Sequence, residues 1–96
     1  MKNYTYTSSH IDKNDFIIHY YYNEEGLLHK TDGPAVDSES GYAAYYINGM
    51  LHNENGPAII YADGNTKYYT YGNRHWELDN QYIYGLNVVS KALLLL

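Results

Sequence analysis

The sequence predicts an all-β chain: a single curved antiparallel sheet of tandem 23-residue β-hairpin repeats, closed by a short C-terminal helix. Three observations carry that expectation. First, His29, His52 and His75 are each 23 residues apart, and so are Gly26, Gly49 and Gly72, and Tyr22, Tyr45 and Tyr68. Second, turn pairs such as Asn48-Gly49, Gly56-Pro57 and Asp63-Gly64 punctuate short runs of aromatic and β-branched residues. Third, fourteen tyrosines, with few strong helix formers before residue 86, favour strands over helices.

The first two units share further positions. Leu28 matches Leu51, Gly33-Pro34-Ala35 matches Gly56-Pro57-Ala58, and Gly41 matches Gly64, while Tyr46 and Tyr69 carry the register into the third. The expected organisation is one domain, 1–96, with an N-terminal cap at 1–18 and repeats at 19–41, 42–64 and 65–87. A cap helix follows at 88–96. The third unit loses the pattern after His75, where Asp79-Asn80-Gln81 replaces the Gly-Pro-Ala triplet. Terminal repeats are commonly atypical because they meet solvent or a cap rather than a neighbour.

Within a unit, Asn48-Gly49 between Tyr45-Tyr46-Ile47 and Met50-Leu51-His52 reads as a two-residue hairpin turn, since both turn positions tolerate positive φ. Glu25-Gly26 and Gly72-Asn73 are expected in the equivalent slots. At Gly33-Pro34 and Gly56-Pro57 a bend is expected, with glycine supplying an unusual dihedral and proline fixing φ. Ala58 to Tyr61 then forms a second strand, Ala62 to Asn65 a turn, and Thr66 to Tyr71 opens the next hairpin. Near the end, Val88, Val89, Ala92 and Leu93 to Leu96 lie at helical spacing, with Asn87 or Ser90 as the N-cap. Leu93, Leu94, Leu95 and Leu96 are too apolar for water, so they cover the last strand or pair with a second copy in a homodimer.

The bulk properties exclude several classes. No cysteine is present, which rules out disulfides and cysteine-held metals. A formal net charge of −5 opposes nucleic acid and anionic lipid, and suits a protein partner with a basic patch. Met1 to Ser9 holds no apolar run that could form a signal-peptide core, and Ala92 to Leu96 falls far short of the roughly 20 residues that span a bilayer. The expectation is a cytoplasmic protein with no membrane, nucleic-acid or cofactor role.

Gly26 to Ala35 and Gly49 to Ala58 both carry the pattern Gly-x-x-His-x-x-x-Gly-Pro-Ala, and Gly72 to His75 carries its first half. With Ile59-Ile60-Tyr61-Ala62-Asp63-Gly64 following the second copy, the chain resembles MORN repeats, and more closely a bacterial and viral variant of them. The resemblance covers residues 20 to 80 and implies consecutive antiparallel hairpins, with scaffolding or binding roles rather than catalysis. Chains of this variant are encoded by bacteria, phages and large viruses, so the resemblance also implies a small phage or mobile-element protein in the host cytoplasm.

Each candidate chemistry has a plainer competitor. Three periodic histidines suggest a metal, but equivalent positions in consecutive hairpins lie roughly 9–10 Å apart, whereas zinc holds its nitrogens at about 2 Å. The expectation is therefore no metal, with His29, His52 and His75 hydrogen-bonding the following loop and holding the Gly-Pro bend. His10 and His19 lie outside the register and are assigned to strand surface. Glu24-Glu25 makes a poor acid–base pair because neighbours on a strand point to opposite faces, and no nucleophile elbow or phosphate loop is present. The chain is expected not to be an enzyme.

The tyrosines remain. Tyr22, Tyr45 and Tyr68 are expected to form a packed ladder, leaving Tyr20, Tyr42, Tyr46, Tyr69 and Tyr71 half exposed on a tyrosine-rich acidic face for a protein partner. The function expected is a non-enzymatic protein-binding module, an inhibitor of a host defence protein. The alternative is a self-assembling scaffold that dimerises through its C-terminal leucines.

Overall fold

The computed structural model describes residues 3–81. The expected cap helix with Leu93 to Leu96, and the last part of the third unit, lie outside the described residues. The described chain is mainly β, and every strand pairing is antiparallel. In chain order the strands are β1 (Tyr6–Ile11), β2 (Ile17–Tyr22), β3 (Val36–Ser38), β4 (Ala43–Ala44) and β5 (Tyr46–Ile47). They continue with β6 (Met50–Leu51), β7 (Ile59–Ile60), β8 (Thr66–Lys67), β9 (Tyr69–Thr70) and β10 (Asn73–Arg74), before a 3-10 turn at Trp76–Leu78.

A single sheet was the expectation; the chain instead forms a six-stranded sheet, β1-β2-β3-β4-β7-β8, with two hairpins, β5–β6 and β9–β10, branching from it. The branch point is one tyrosine. Tyr45, between β4 and β5, donates its N–H to Ala58 C=O at 2.7 Å and accepts from His52 N–H at 2.9 Å. Its two backbone groups thus belong to different partners, one in the sheet and one in its own hairpin. Tyr68 likewise accepts from His75 N–H at 2.8 Å, and Tyr21 donates to Ala35 and accepts from His29, each at 2.9 Å.

Tyr21, not Tyr22, is therefore the counterpart of Tyr45 and Tyr68. The cause is loop length. The second and third hairpins turn on two residues of positive φ, Asn48-Gly49 (48° and 82°) and Tyr71-Gly72 (46° and 82°), as a type I′ turn requires. Asn73 pairs with Thr70 and so opens β10 rather than standing in the turn. The first hairpin uses a longer loop closed by Asn23 N–H to Leu27 C=O at 2.9 Å, with Gly26 at φ 81°. That extra residue shifts the preceding strand by one position.

At the opposite end of the strands, three turns share one bonding pattern: Asp12–Phe16, Ser38–Tyr42 and Tyr61–Asn65. In each the fourth residue is left-handed: Asp15 (65°), Gly41 (103°) and Gly64 (92°). The expected N-terminal cap is thus a hairpin of the same kind, and the boundary drawn at residue 18 falls inside β2.

The core is thin. Val36, Ala44 and Ile59 occupy adjacent central strands and are buried, and Ala35, Ala58, Tyr68 and Leu78 are fully enclosed. Each large aliphatic buried here contributes about 1.5–3 kcal/mol. Gly33 and Gly56 are not among the left-handed glycines, contrary to expectation. A following proline drives its predecessor toward extended backbone. The second bend is held by Asn53, whose Nδ2 donates to Pro57 C=O and whose Oδ1 accepts from Asn55 N–H, both at 3.0 Å.

Asp15 is the exposed, non-glycine exception at a position where Gly41 and Gly64 stand in the sister turns. Asp15→Gly should raise stability by about 0.5–1 kcal/mol by relieving the left-handed strain. Urea denaturation of the two proteins measures it.

Candidate protein-binding face

Strand alternation places Tyr20, Val36, Ala44, Ile59 and Lys67 in one cross-strand row. Tyr42 and Tyr46 flank Ala44 two residues to either side, and Tyr61 lies two beyond Ile59. Four of the five expected tyrosines, Tyr20, Tyr42, Tyr46 and Tyr69, consequently share one face, partly buried against Val36, Ala44 and Ile59. Tyr61 belongs with them, its ring meeting Tyr42 edge-on at 5.8 Å. Tyr22 stacks beside Tyr20 at 6.5 Å and hydrogen-bonds Ser8 Oγ through its hydroxyl at 3.0 Å. This places Tyr22 on the aromatic face and removes it from the expected ladder. Both missed residues were accessible to period-two reasoning, since Tyr61 follows Ile59 by two and Tyr22 follows Tyr20 by two.

His10 extends the strip by meeting Tyr20 edge-on at 5.3 Å, and Lys67 Nζ lies 5.5 Å from the Tyr61 ring centre. His19, on the opposite face, pairs its Nδ1 with Ser9 Oγ at 2.9 Å. Burial, then the neighbouring hydroxyls of Tyr46, Tyr61 and Tyr20, pushes the Tyr42 phenol above its usual range. Burial followed by Tyr69 and Tyr61 does the same for Tyr46. These phenols stay protonated at neutral pH and present hydrogen-bond donors among apolar rings. The acidic character expected of this face is absent from its centre. Asp37 alternates with Val36 and points to the other side, while Asp12, Asp15, Glu39 and Asp63 sit in the turns at its rim.

Tyr71 stands apart from the strip. It occupies the first position of the third hairpin turn at φ 46°, where Asn48 stands in the second, and its ring lies 3.9 Å from that of His52. A bulky side chain in left-handed backbone is strained, and such strain concentrates at sites of function. Tyr71 is 55% exposed and borders a cleft of about 520 Å³ with Lys30, Asp32, Tyr45, His52 and Glu54.

The periodic histidines brace turns, though not in the manner expected. His29 Nδ1 accepts the N–H of Asn48 at 3.0 Å, and His52 Nδ1 accepts that of Tyr71 at 2.9 Å. Each ring thus holds the first residue of the next hairpin turn rather than its own Gly-Pro bend. In a two-residue turn that N–H has no strand partner, so an outside acceptor satisfies it. His75 pairs its Nε2 with Thr70 Oγ1 at 2.6 Å. Among the described residues no three histidine, aspartate or glutamate side chains converge as a metal cluster would need.

Bonding to Tyr71 needs an unprotonated His52 Nδ1. Burial lowers the proton affinity of this ring below its ordinary value of 6.5, against a smaller opposite pull from Glu54 at 3.7 Å. The unfolded chain then binds the proton more tightly, so the contribution of His52 is complete above 6.5 and is lost as pH falls through the folded value. Between about pH 7.5 and about pH 5.5 the wild type should lose more stability than His52→Asn, which keeps an acceptor and removes the titration. Urea midpoints at the two pH values test this.

Comparison of the chain with protein-family models, with curated proteins and with solved structures returned no match in any of the three.

Proposed function

We propose that this chain is a MORN-like tandem-hairpin protein acting as a non-enzymatic protein-binding module. The observation that supports the reading is the continuous aromatic surface of Tyr20, Tyr42, Tyr46, Tyr61 and Tyr69, partly buried beneath and still open above. Tyrosine brings large contact area at low rotamer cost, and interfaces concentrate such rings at the centre with polar groups at the rim. The rim here is acidic, through Asp12, Asp15, Glu39 and Asp63, which favours a partner whose contact patch is ringed by lysine or arginine.

The proposed setting, a small phage or mobile-element product inhibiting a host defence protein, rests on the resemblance and on small size. A protein of this kind acts by covering a surface, and needs no catalytic group to do so. The recurrence of the pivot tyrosine and the turn-bracing histidine along the chain supports the tandem-hairpin reading.

The test is affinity capture from bacterial lysate with wild type and with Tyr42, Tyr46 and Tyr69 all changed to alanine. Loss of a captured protein by the variant, with salt-sensitive capture by the wild type, is the expected result, and each central ring should contribute about tenfold in affinity. Circular dichroism checks that the variant is folded, and single Tyr69→Ser covers the case where it is not. Equal recovery of every captured protein by a folded variant rejects the face.

A further inference from the structure

We propose that the free edge of β1 is a docking site for an extended peptide segment with basic flanks, which joins the six-stranded sheet as an additional strand. The two ends of the sheet are finished differently. At β8 the outward groups of Thr66 are both occupied, its N–H donating to Asn80 Oδ1 at 2.9 Å and its C=O accepting Asn80 N–H at 3.0 Å. Asn80 stands where another strand would pair.

At β1 no such closure exists among the described residues. In β2 the odd positions turn toward β3, since Tyr21 donates to Ala35 C=O and Ile17 C=O accepts from Glu39. Its even positions therefore serve β1, and the Asp12 N–H to Phe16 C=O bond lies in the same phase. Tyr6, Ser8 and His10 bond to β2, and Thr7, Ser9 and Ile11 aim their N–H and C=O groups outward. All three are exposed, Ile11 at 70%. An exposed edge of this kind is usually blunted by proline, a charge or a bulge. Between Tyr6 and Ile11, β1 carries no proline and no charged residue, and with β2 it is the longest strand among the described residues at 6 residues.

Charge selects the occupant. At the amino end of β1, Asn3, Tyr4 and Thr5 share a cleft with Glu24 and Glu25. At its carboxyl end the turn carries Asp12 and Asp15, opposed only by Lys13. A second copy pairing antiparallel across Ser9 would set Asp12 and Asp15 of one chain against Glu24 and Glu25 of the other. That juxtaposition is repulsive. An uncharged strand with lysine or arginine at both ends meets acids at both ends and gains the whole row of main-chain bonds. This inference does not rest on the tyrosine face, because the edge lies in the plane of the sheet.

The test uses the full isotope-labelled chain and a synthetic peptide of about nine residues, alternating valine and threonine between paired lysines. The amides of Thr7, Ser9 and Ile11 should shift and become protected from exchange. The same peptide with paired glutamates should bind about tenfold more weakly. A version N-methylated at alternate amides should not bind, nor should Thr7→Pro, which removes an outward N–H without breaking a bond to β2. The triple tyrosine variant should bind the peptide as the wild type does, so failure of either surface is distinguishable from failure of the other. Unshifted Thr7, Ser9 and Ile11 amides, equal binding of the methylated peptide, or shifts centred on Tyr42 and Tyr46 would each overturn the site. Concentration-dependent protection of the three amides without peptide would make the occupant a second copy and overturn the proposed one.

Discussion

The fold depends on tyrosines that serve two partners with their two backbone groups, as Tyr21 and Tyr45 do. At Tyr45 the N–H belongs to the sheet through Ala58, and the C=O belongs to the hairpin through His52. A residue bonded in both directions within one strand pair would carry the sheet straight on. Splitting the bonds forces the chain out of the sheet plane and raises the β5–β6 hairpin from it. β4 and β8 are short because the chain leaves the sheet at Tyr45 and Tyr68, whereas β2 runs on through Tyr21 to Tyr22.

Hairpins of two residues a side are marginal alone, so their stability must come from neighbours. Here the neighbours supply it through hydrogen bonds as much as through burial. Gly49 N–H donates to Leu28 C=O and Gly72 N–H to Leu51 C=O, each at 2.8 Å, while His29 and His52 accept the turn N–H groups beside those glycines. Leu27 also packs within 3.5 Å of the space beside Gly49. The β5–β6 and β9–β10 hairpins are thus each fixed by the loop or hairpin before them, and a fault in one should be transmitted forward.

The same economy explains the aromatic face. With a core of Val36, Ala44 and Ile59, the sheet has too little aliphatic bulk to cover itself. Tyrosines complete the cover, burying part of each ring against it while remaining half exposed. Packing and recognition are therefore drawn from the same side chains. A substitution at Tyr42 or Tyr46 affects both, whereas Tyr71, held on a strained turn against His52, is separable from the core.

The sequence by itself determined the mainly β, antiparallel character, the second hairpin turn and the shared face of Tyr42, Ala44 and Tyr46, because these follow from local rules: glycine tolerates positive φ and strand neighbours alternate. It did not determine which residues answer to each other across units. One additional loop residue in the first hairpin moves the register, so Tyr21 takes the role that spacing assigned to Tyr22. Only the tertiary structure decided that histidines brace the next turn, that Asn80 closes one sheet edge, and that acids gather at the rim. Each of these depends on groups far apart in sequence meeting across strands, and no local propensity encodes the partner of an unpaired N–H.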